Sequence, residues 1–259
     1  MWNGFADLMN QKAQELGLKN SHFSTPHGLD KDDHYTTATD LAHLTAYALQ
    51  NPKFCELVRT KTTTIYINST AKSVNNTNEL LGNLQGVYGV KTGFTGKAGR
   101  CLVTSVKRGD LDIISVVLGA DTKSIRTQDS IEVIEYTYKN FEMFDIKDRI
   151  DSEFEQWLDD EKYIQVIKGE SEDPEFTLGD IQFDEVPINK KEESDVEIKI
   201  SYTKVLTAPV TENQIIGDVE VTVDDNILGK ADILVKNGID KKNMIDYMKE
   251  FFSLYKTIL

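Results

Sequence analysis

The run Gly89-Val90-Lys91-Thr92-Gly93-Phe94-Thr95 offers binding chemistry. A lysine carried on a strand presents a compact point charge that can hold a carboxylate. The hydroxyl of Thr92 adds a hydrogen bond beside it, and Gly93 lets a second backbone come close. An extended peptide can then lie along the strand edge. Lys91, Thr92 and Gly93 are therefore candidate binding residues for a substrate carboxylate, although the tripeptide taken alone reads rather as a surface strand with an exposed lysine.

Nucleophilic catalysis needs a serine and a lysine one turn apart on a buried helix, so that the hydroxyl can pass on its proton. Ser69-Thr70-Ala71-Lys72 has the Ser-x-x-Lys spacing, and Ser73-Val74-Asn75 has the Ser-x-Asn spacing. The two abut in a hydrophilic stretch after a strand, so they read as a hairpin loop. No nucleophile or base is assigned. Asp30, Asp32, Asp33 and His34 crowd one loop, but their spacing lacks the glycine turn of a calcium loop, and a solvated loop is expected, with no metal or cofactor. His27, before Gly28, is expected to hold its loop by hydrogen bonds, and Arg108-Gly109-Asp110 reads as a hairpin turn. Cys55 and Cys101 are far apart, in no metal spacing, and read as two thiols.

Lys91 needs a strand to carry it, and the sequence supplies one inside a mixed pattern. Phe5, Met9, Ala13 and Leu16 recur at helical spacing up to Gly17, a C-terminal cap glycine. A second helix runs from Thr37 to Leu49, with Thr37 and Asp40 as a capping box and Leu41, Leu44 and Ala48 inward. Asn51-Pro52 opens a helical turn through Leu57. The period then becomes two, giving strands at Thr62–Asn68, Val87–Phe94, Cys101–Lys107 and Leu111–Leu118. A long helix after Asp121 carries Ile131, Ile134, Tyr138 and Phe141. Short β-rich runs follow at Tyr163–Ile167, Val196–Ile200, Gln214–Val223 and Leu228–Val235, the pattern of a small antiparallel sandwich or barrel. Lys241–Leu259 closes the chain as an amphipathic helix, with Met244, Met248, Phe251, Tyr255 and Ile258 on one side. The fold class is α+β.

Composition divides the 259 residues further. Residues 1–150 balance 17 basic against 17 acidic side chains, so the net charge of −14 falls on the remainder. A phosphate backbone would be repelled there, and nucleic acid is excluded as a partner of that half. The first residues show no basic stretch followed by an apolar one, and no run of eighteen apolar residues exists, so neither a signal peptide nor a membrane span is expected.

Several segments resemble the bacterial serine-type D-alanyl-D-alanine carboxypeptidases, the low-molecular-mass penicillin-binding proteins. They are Phe5–Leu18, Asn20–Leu29 with Pro26-His27-Gly28-Leu29, His34–Leu41, Asn76-Thr77-Asn78-Glu79-Leu80-Leu81 and Lys91–Gly99, in matching order and spacing across about 5–145. Residues 150–235 resemble that family's β-rich C-terminal domain, with Leu206–Val210 and Gly217-Asp218-Val219 as weaker landmarks. Lys-Thr-Gly is the third of the family's motifs, after a Ser-x-x-Lys nucleophile box and a Ser-x-Asn box.

The resemblance implies a partial penicillin-binding, β-lactamase-like domain with helices on an antiparallel sheet over 1–145. It implies a β-rich domain over 150–238 and an amphipathic helix over 241–259 that can lie on a membrane surface, the alternative being that the helix packs against its own domain. It implies that Lys91 and Thr92 bind the terminal carboxylate of a D-alanyl-D-alanine stem peptide or of a β-lactam, and that the Phe94 backbone N–H is one oxyanion donor. The parent activity would be removal of the terminal D-Ala from peptidoglycan peptides through a serine acyl-enzyme, outside the cytoplasm at the membrane. The chain is expected to start after the second motif and to be inactive alone. The alternative is a non-enzymatic module that binds wall peptides or a partner.

Overall fold

The computed structural model describes residues 2–160, 164–171, 174–181 and 184–258. They form two compact units, Met1–Asn140 and Phe141–Leu259.

The first unit opens with α1 (Trp2–Glu15), α2 (Ala38–Leu49) and α3 (Pro52–Arg59). Gly17, at φ 70°, takes the left-handed turn that ends the first helix. Thr37 caps α2 through its hydroxyl, which accepts from the Asp40 N–H at 3.2 Å. The Asp40 carboxylate does not complete a capping box. It is buried and accepts from Asn20 N–H at 2.9 Å and Ser21 Oγ at 2.7 Å, so it ties the preceding loop to the helix. Leu41, Leu44 and Ala48 are half-buried, while Asp40 and Thr45 are the buried residues of this helix. Asn51 caps α3, accepting from Lys53 and Phe54 N–H, with Pro52 pre-setting the first helical residue.

A hairpin follows, β1 (Thr62–Ile67) and β2 (Thr70–Asn75), and all twelve of its strand residues are exposed. Asn68 and Ser69 turn the chain at φ 47° and 64°. The loop expected around Ser69–Asn75 is thus a turn of two residues and a strand, and Ser69 and Lys72 share no helix.

The sheet that carries Lys91 comes next: β3 (Val87–Thr95), β4 (Gly99–Arg108) and β5 (Leu111–Ala120), antiparallel in the order β3-β4-β5. Across it lies α4 (Lys123–Asn140), which buries Arg126, Ser130 and Ile134 at a spacing of four. Ile134 packs with Leu80, Leu102 and Val106 into the core of this unit.

The second unit contains β6 (Phe141–Asp145), α5 (Ile146–Asp160), β7 (Gln165–Ile167), β8 (Phe176–Leu178), β9 (Glu185–Asn189), β10 (Glu197–Tyr202), β11 (Val205–Thr207), β12 (Ile215–Val223), β13 (Asn226–Val235) and α6 (Met244–Ile258). A four-stranded sheet runs β10-β12-β13-β8, with β6-β9 and the parallel pair β11-β7 beside it.

One expectation changes here, and one segment that the sequence left unassigned proves regular. The helix that was to carry Phe141 ends at Asn140, and Phe141 opens β6. The acidic stretch after it is helical, because Ile146, Ile150, Phe154 and Trp157 return to one face while Asp and Glu face water. That face packs with Val219, Val221, Ile233 and Val235. Tyr163, expected at the start of a strand, lies outside the described residues.

On α6 the apolar residues Met244, Met248, Phe251 and Phe252 are exposed rather than packed on the unit. The side chains of Tyr255 and Ile258, and Leu259 altogether, lie outside the described residues. No helix among the described residues is long and apolar enough to cross a membrane.

Candidate functional site

β3 presents Lys91, Thr92, Gly93 and Phe94 at the edge of the sheet, its other side being bonded to β4 in the register Thr92 opposite Leu102 and Gly93 opposite Cys101. Strand alternation leaves Lys91 exposed and Thr92 half-buried. The Lys91 ammonium donates to the Thr92 carbonyl, and among the described residues it has no carboxylate partner. Gly93 has ordinary backbone angles, and a Cβ added there would meet only Cys101 Cβ at 3.6 Å. The fold itself therefore does not require glycine at 93. Phe94 is exposed, with the Arg100 guanidinium 3.6 Å from its ring centre.

Facing the strand is the loop Asn76-Thr77-Asn78-Glu79, held by its own amides. The Asn76 side chain donates to the carbonyls of Val58 and Thr60, both at 3.2 Å, and accepts from Asn78 N–H at 3.0 Å. The Asn78 side chain is buried; it donates to the Gly89 carbonyl at 2.8 Å and accepts from Leu80 N–H at 3.1 Å. This Asx geometry fastens the end of the β1–β2 hairpin and of α3 to the sheet. It also sets the Thr77 hydroxyl 2.6 Å from that of Thr92.

The start of α4 supplies the third wall. Arg126 is buried and pairs with Glu79 at 2.6 Å, and Thr127 donates to the same carboxylate oxygen. Partial burial works to raise the Glu79 carboxyl. Hydrogen bonds from Thr127, the backbone and Arg126, with the Arg126 charge, overcome it and hold the group below its ordinary value. Arg126 Nε and Glu79 Oε2 are buried without hydrogen-bond partners among the described residues.

These pieces enclose a cleft of about 500 Å³ lined by Asn76, Thr77, Glu79, Lys91, Thr92, Gly93, Phe94, Arg100, Lys123 and Arg126. Four cations face one carboxylate, in a chain whose net charge is −14. Such a cleft concentrates anions. Among the described residues its lining offers hydroxyls from two threonines but no serine or cysteine.

Lys91, Thr92, Gly93 and Phe94 all line this cleft, and Arg100, Lys123, Arg126, Thr77 and Glu79, which the sequence did not single out as binding residues, line it with them. One signal for Arg126 was present: it stands eight residues before Ile134, on the buried stripe of α4, where a charge needs a reason. Ser69 and Lys72 are absent from the cleft lining. In the acidic loop, Asp32 pairs with Lys97 at 3.0 Å and His34 Nδ1 accepts from Ser24 N–H at 3.0 Å. His27 Nδ1 accepts from Leu29 N–H at 3.2 Å, holding its loop. A second cleft, within Phe141–Leu259, sets Lys147 against Asp151, Glu155, Asp180 and Asp184, and its charge would repel a carboxylate.

Comparisons with known proteins bear on both units. The family profile described as D-alanyl-D-alanine carboxypeptidase matches residues 2–122, and that described as Penicillin-binding protein 5, C-terminal domain, matches 152–241. Among curated relatives, D-alanyl-D-alanine carboxypeptidase DacF of Bacillus subtilis is 30% identical over 95% of this chain, and DacA of Escherichia coli is 29% identical over 96%. The chain spans 61% and 60% of their lengths. Among solved structures, penicillin binding protein 5 from Haemophilus influenzae superposes with a TM-score of 0.64 at 28% identity, covering 93% of this chain and 67% of that one.

Proposed function

The chain belongs to the D-alanyl-D-alanine carboxypeptidase family, the low-molecular-mass penicillin-binding proteins, and on that premise we propose that its first unit forms the substrate-binding wall of such an enzyme. The gathering of Lys91, Arg100, Lys123 and Arg126 around one cleft carries this reading.

A peptide ending in D-Ala-D-Ala lies extended along β3. Its terminal carboxylate is held by Lys91 and the Thr92 hydroxyl. The Phe94 N–H points at the scissile carbonyl as an oxyanion donor, a contribution of about 3 kcal/mol to the transition state in acyl transfer. A β-lactam, which carries a carboxylate beside a reactive carbonyl, uses the same contacts. The full reaction is serine acyl transfer with release of the terminal D-Ala, outside the cytoplasm at a membrane to which the apolar face of α6 binds.

Because no serine or cysteine lines the cleft, the 259-residue chain binds such peptides without turning them over. This also keeps the second reading in view, a wall-peptide-binding module without catalysis.

Binding of a fluorescent D-Ala-D-Ala peptide, followed by anisotropy, tests the proposal. Saturable binding that is lost in Lys91→Ala, and lost when the peptide terminus is amidated, supports it. Binding unaffected by either change would overturn it. Fluorescent penicillin should leave the chain unlabelled, and covalent labelling would sink the claim of inactivity and bring Ser69 back as a candidate.

A further inference from the structure

The sequence holds two Asn-Gly pairs, Asn3-Gly4 inside α1 and Asn237-Gly238 between β13 and the segment that leads to α6. In an Asn-Gly pair the backbone nitrogen of the glycine can reach the side-chain carbon of the asparagine, because glycine has no Cβ to hinder the approach and turns freely. The backbone of the first pair is held in a helix. Around the second pair, Lys236, Asn237 and Gly238 are exposed and lie in neither helix nor strand. Among the described residues, the Asn237 side-chain amide and the Gly238 N–H make no hydrogen bond.

This short link is pinned at both ends. Before it, Val235 N–H donates to the Gln214 carbonyl at 3.0 Å and Lys236 N–H to the Glu175 carbonyl at 2.7 Å. After it, Ile239 is buried and exchanges both backbone hydrogen bonds with Val210, at 2.8 and 2.9 Å. The Asp240 carbonyl then accepts from Glu170 N–H at 2.9 Å, and Lys242 N–H donates to the Lys168 carbonyl at 2.8 Å. Asn243 follows at once and caps α6, accepting from Ile245 N–H at 2.8 Å. The length of the link therefore sets where Ile239 meets Val210, and with it how the chain enters α6.

We infer that Asn237 is a site of spontaneous covalent modification, at which the side-chain amide is lost and the main chain is rerouted. The Gly238 backbone nitrogen gives up its proton to solvent and bonds to Asn237 Cγ. The bond from Cγ to Nδ2 breaks, and the nitrogen leaves as ammonia, closing a succinimide ring. Water then opens the ring at one of its two carbonyls. Cleavage between Cγ and the Gly238 nitrogen gives aspartate with the original backbone. Cleavage between the Asn237 backbone carbonyl carbon and that nitrogen gives isoaspartate, whose main chain runs through Cβ and Cγ. One water is consumed and one ammonia released, with no oxidant or reductant. Either product adds a negative charge to a unit in which acidic residues already outnumber basic ones. Isoaspartate also adds one carbon to the backbone just before Ile239, which works against its pairing with Val210 and loosens the hold on α6.

Ageing the folded 259-residue chain in mildly alkaline and mildly acidic buffer, followed by tryptic peptide mapping, tests this. The peptide Asn237–Lys241 should gain about 1 Da and split into two isomers. It should do so faster in alkali, because the attacking nitrogen must lose its proton. A protein-isoaspartate methyltransferase with labelled S-adenosylmethionine should mark one isomer. Both signals should be lost in Asn237→Gln and slowed severalfold in Gly238→Ala, where a Cβ would hinder the nitrogen. Amide hydrogen exchange at Val210 and Ile239 should quicken in the aged chain, but not in aged Asn237→Gln. An intact amide at 237 after several half-lives of the same sequence as a free peptide would overturn the inference. So would conversion only when urea unfolds the chain. Aspartate without its isomer would also overturn it, since that product comes from direct hydrolysis. Unchanged exchange at Ile239 in the isoaspartyl form would overturn the loosening of the link.

Discussion

Gly93 separates what the fold needs from what the site needs. A methyl group added there meets only Cys101 Cβ at van der Waals distance, and the backbone angles suit any residue. Gly93→Ala should therefore change stability by no more than about 0.5 kcal/mol, while a peptide lying on β3 would meet the new methyl and bind at least about tenfold more weakly, a loss worth 1.4 kcal/mol. Chemical denaturation and peptide anisotropy on the same variant check the two halves. Glu79 has the opposite character, since it is the counter-charge of a buried arginine. Its folded-state carboxyl lies below its ordinary value, so its stabilisation is present above the unfolded value and is lost as pH falls through the folded one. Glu79→Gln should cost about 2 kcal/mol near neutrality, and its deficit should shrink as acid unfolding is followed below about pH 4.3. Lys91, Thr92 and Gly93 could be proposed from types and spacing. Glu79 and Arg126 could not, because 47 residues separate two side chains whose oxygen and nitrogen lie 2.6 Å apart.

Elements were legible where the period was long and clean. β3, β4 and β5 fall where alternation places them, and both α2 and α3 begin at side chains whose oxygens accept from their first turn. The segments left unassigned or misplaced are short or charged. α5 holds Asp and Glu on its outer face, and its apolar positions show only when they are read at spacings of four, four and three. Phe141 fits a helical stripe by spacing, yet the helix ends one residue earlier and Phe141 pairs with Asn189 across β6 and β9. A long-range pairing decided it. Trp157 shows how much α5 contributes: it is 6% exposed and lies between Phe154, at 5.5 Å between ring centres, and Tyr202, at 5.1 Å. Trp157→Ala should destabilise the Phe141–Leu259 unit by about 3–5 kcal/mol, read by urea unfolding of that unit. A loss under 1 kcal/mol would mean that α5 is not part of its core.

At the scale of the whole chain the two units carry unlike charge. Met1–Asn140 holds 15 basic and 14 acidic residues, so Phe141–Leu259 holds 14 and 29. Self-repulsion in the second unit is screened by salt. Raising ionic strength with sodium chloride should raise the unfolding midpoint of Phe141–Leu259 and leave that of Met1–Asn140 nearly unchanged. Calorimetry in low and high salt checks this, and equal shifts would count against it. By itself the sequence determined the α+β class, the strand that carries Lys-Thr-Gly and the charge boundary, because propensity, periodicity and composition are local sums over neighbouring residues. Only the tertiary structure decided that Arg100, Lys123 and Arg126 join Lys91 around one cleft, and that Ser69 and Lys72 lie outside its lining. Those facts depend on which distant segments meet, and packing and strand pairing, rather than local propensity, set that.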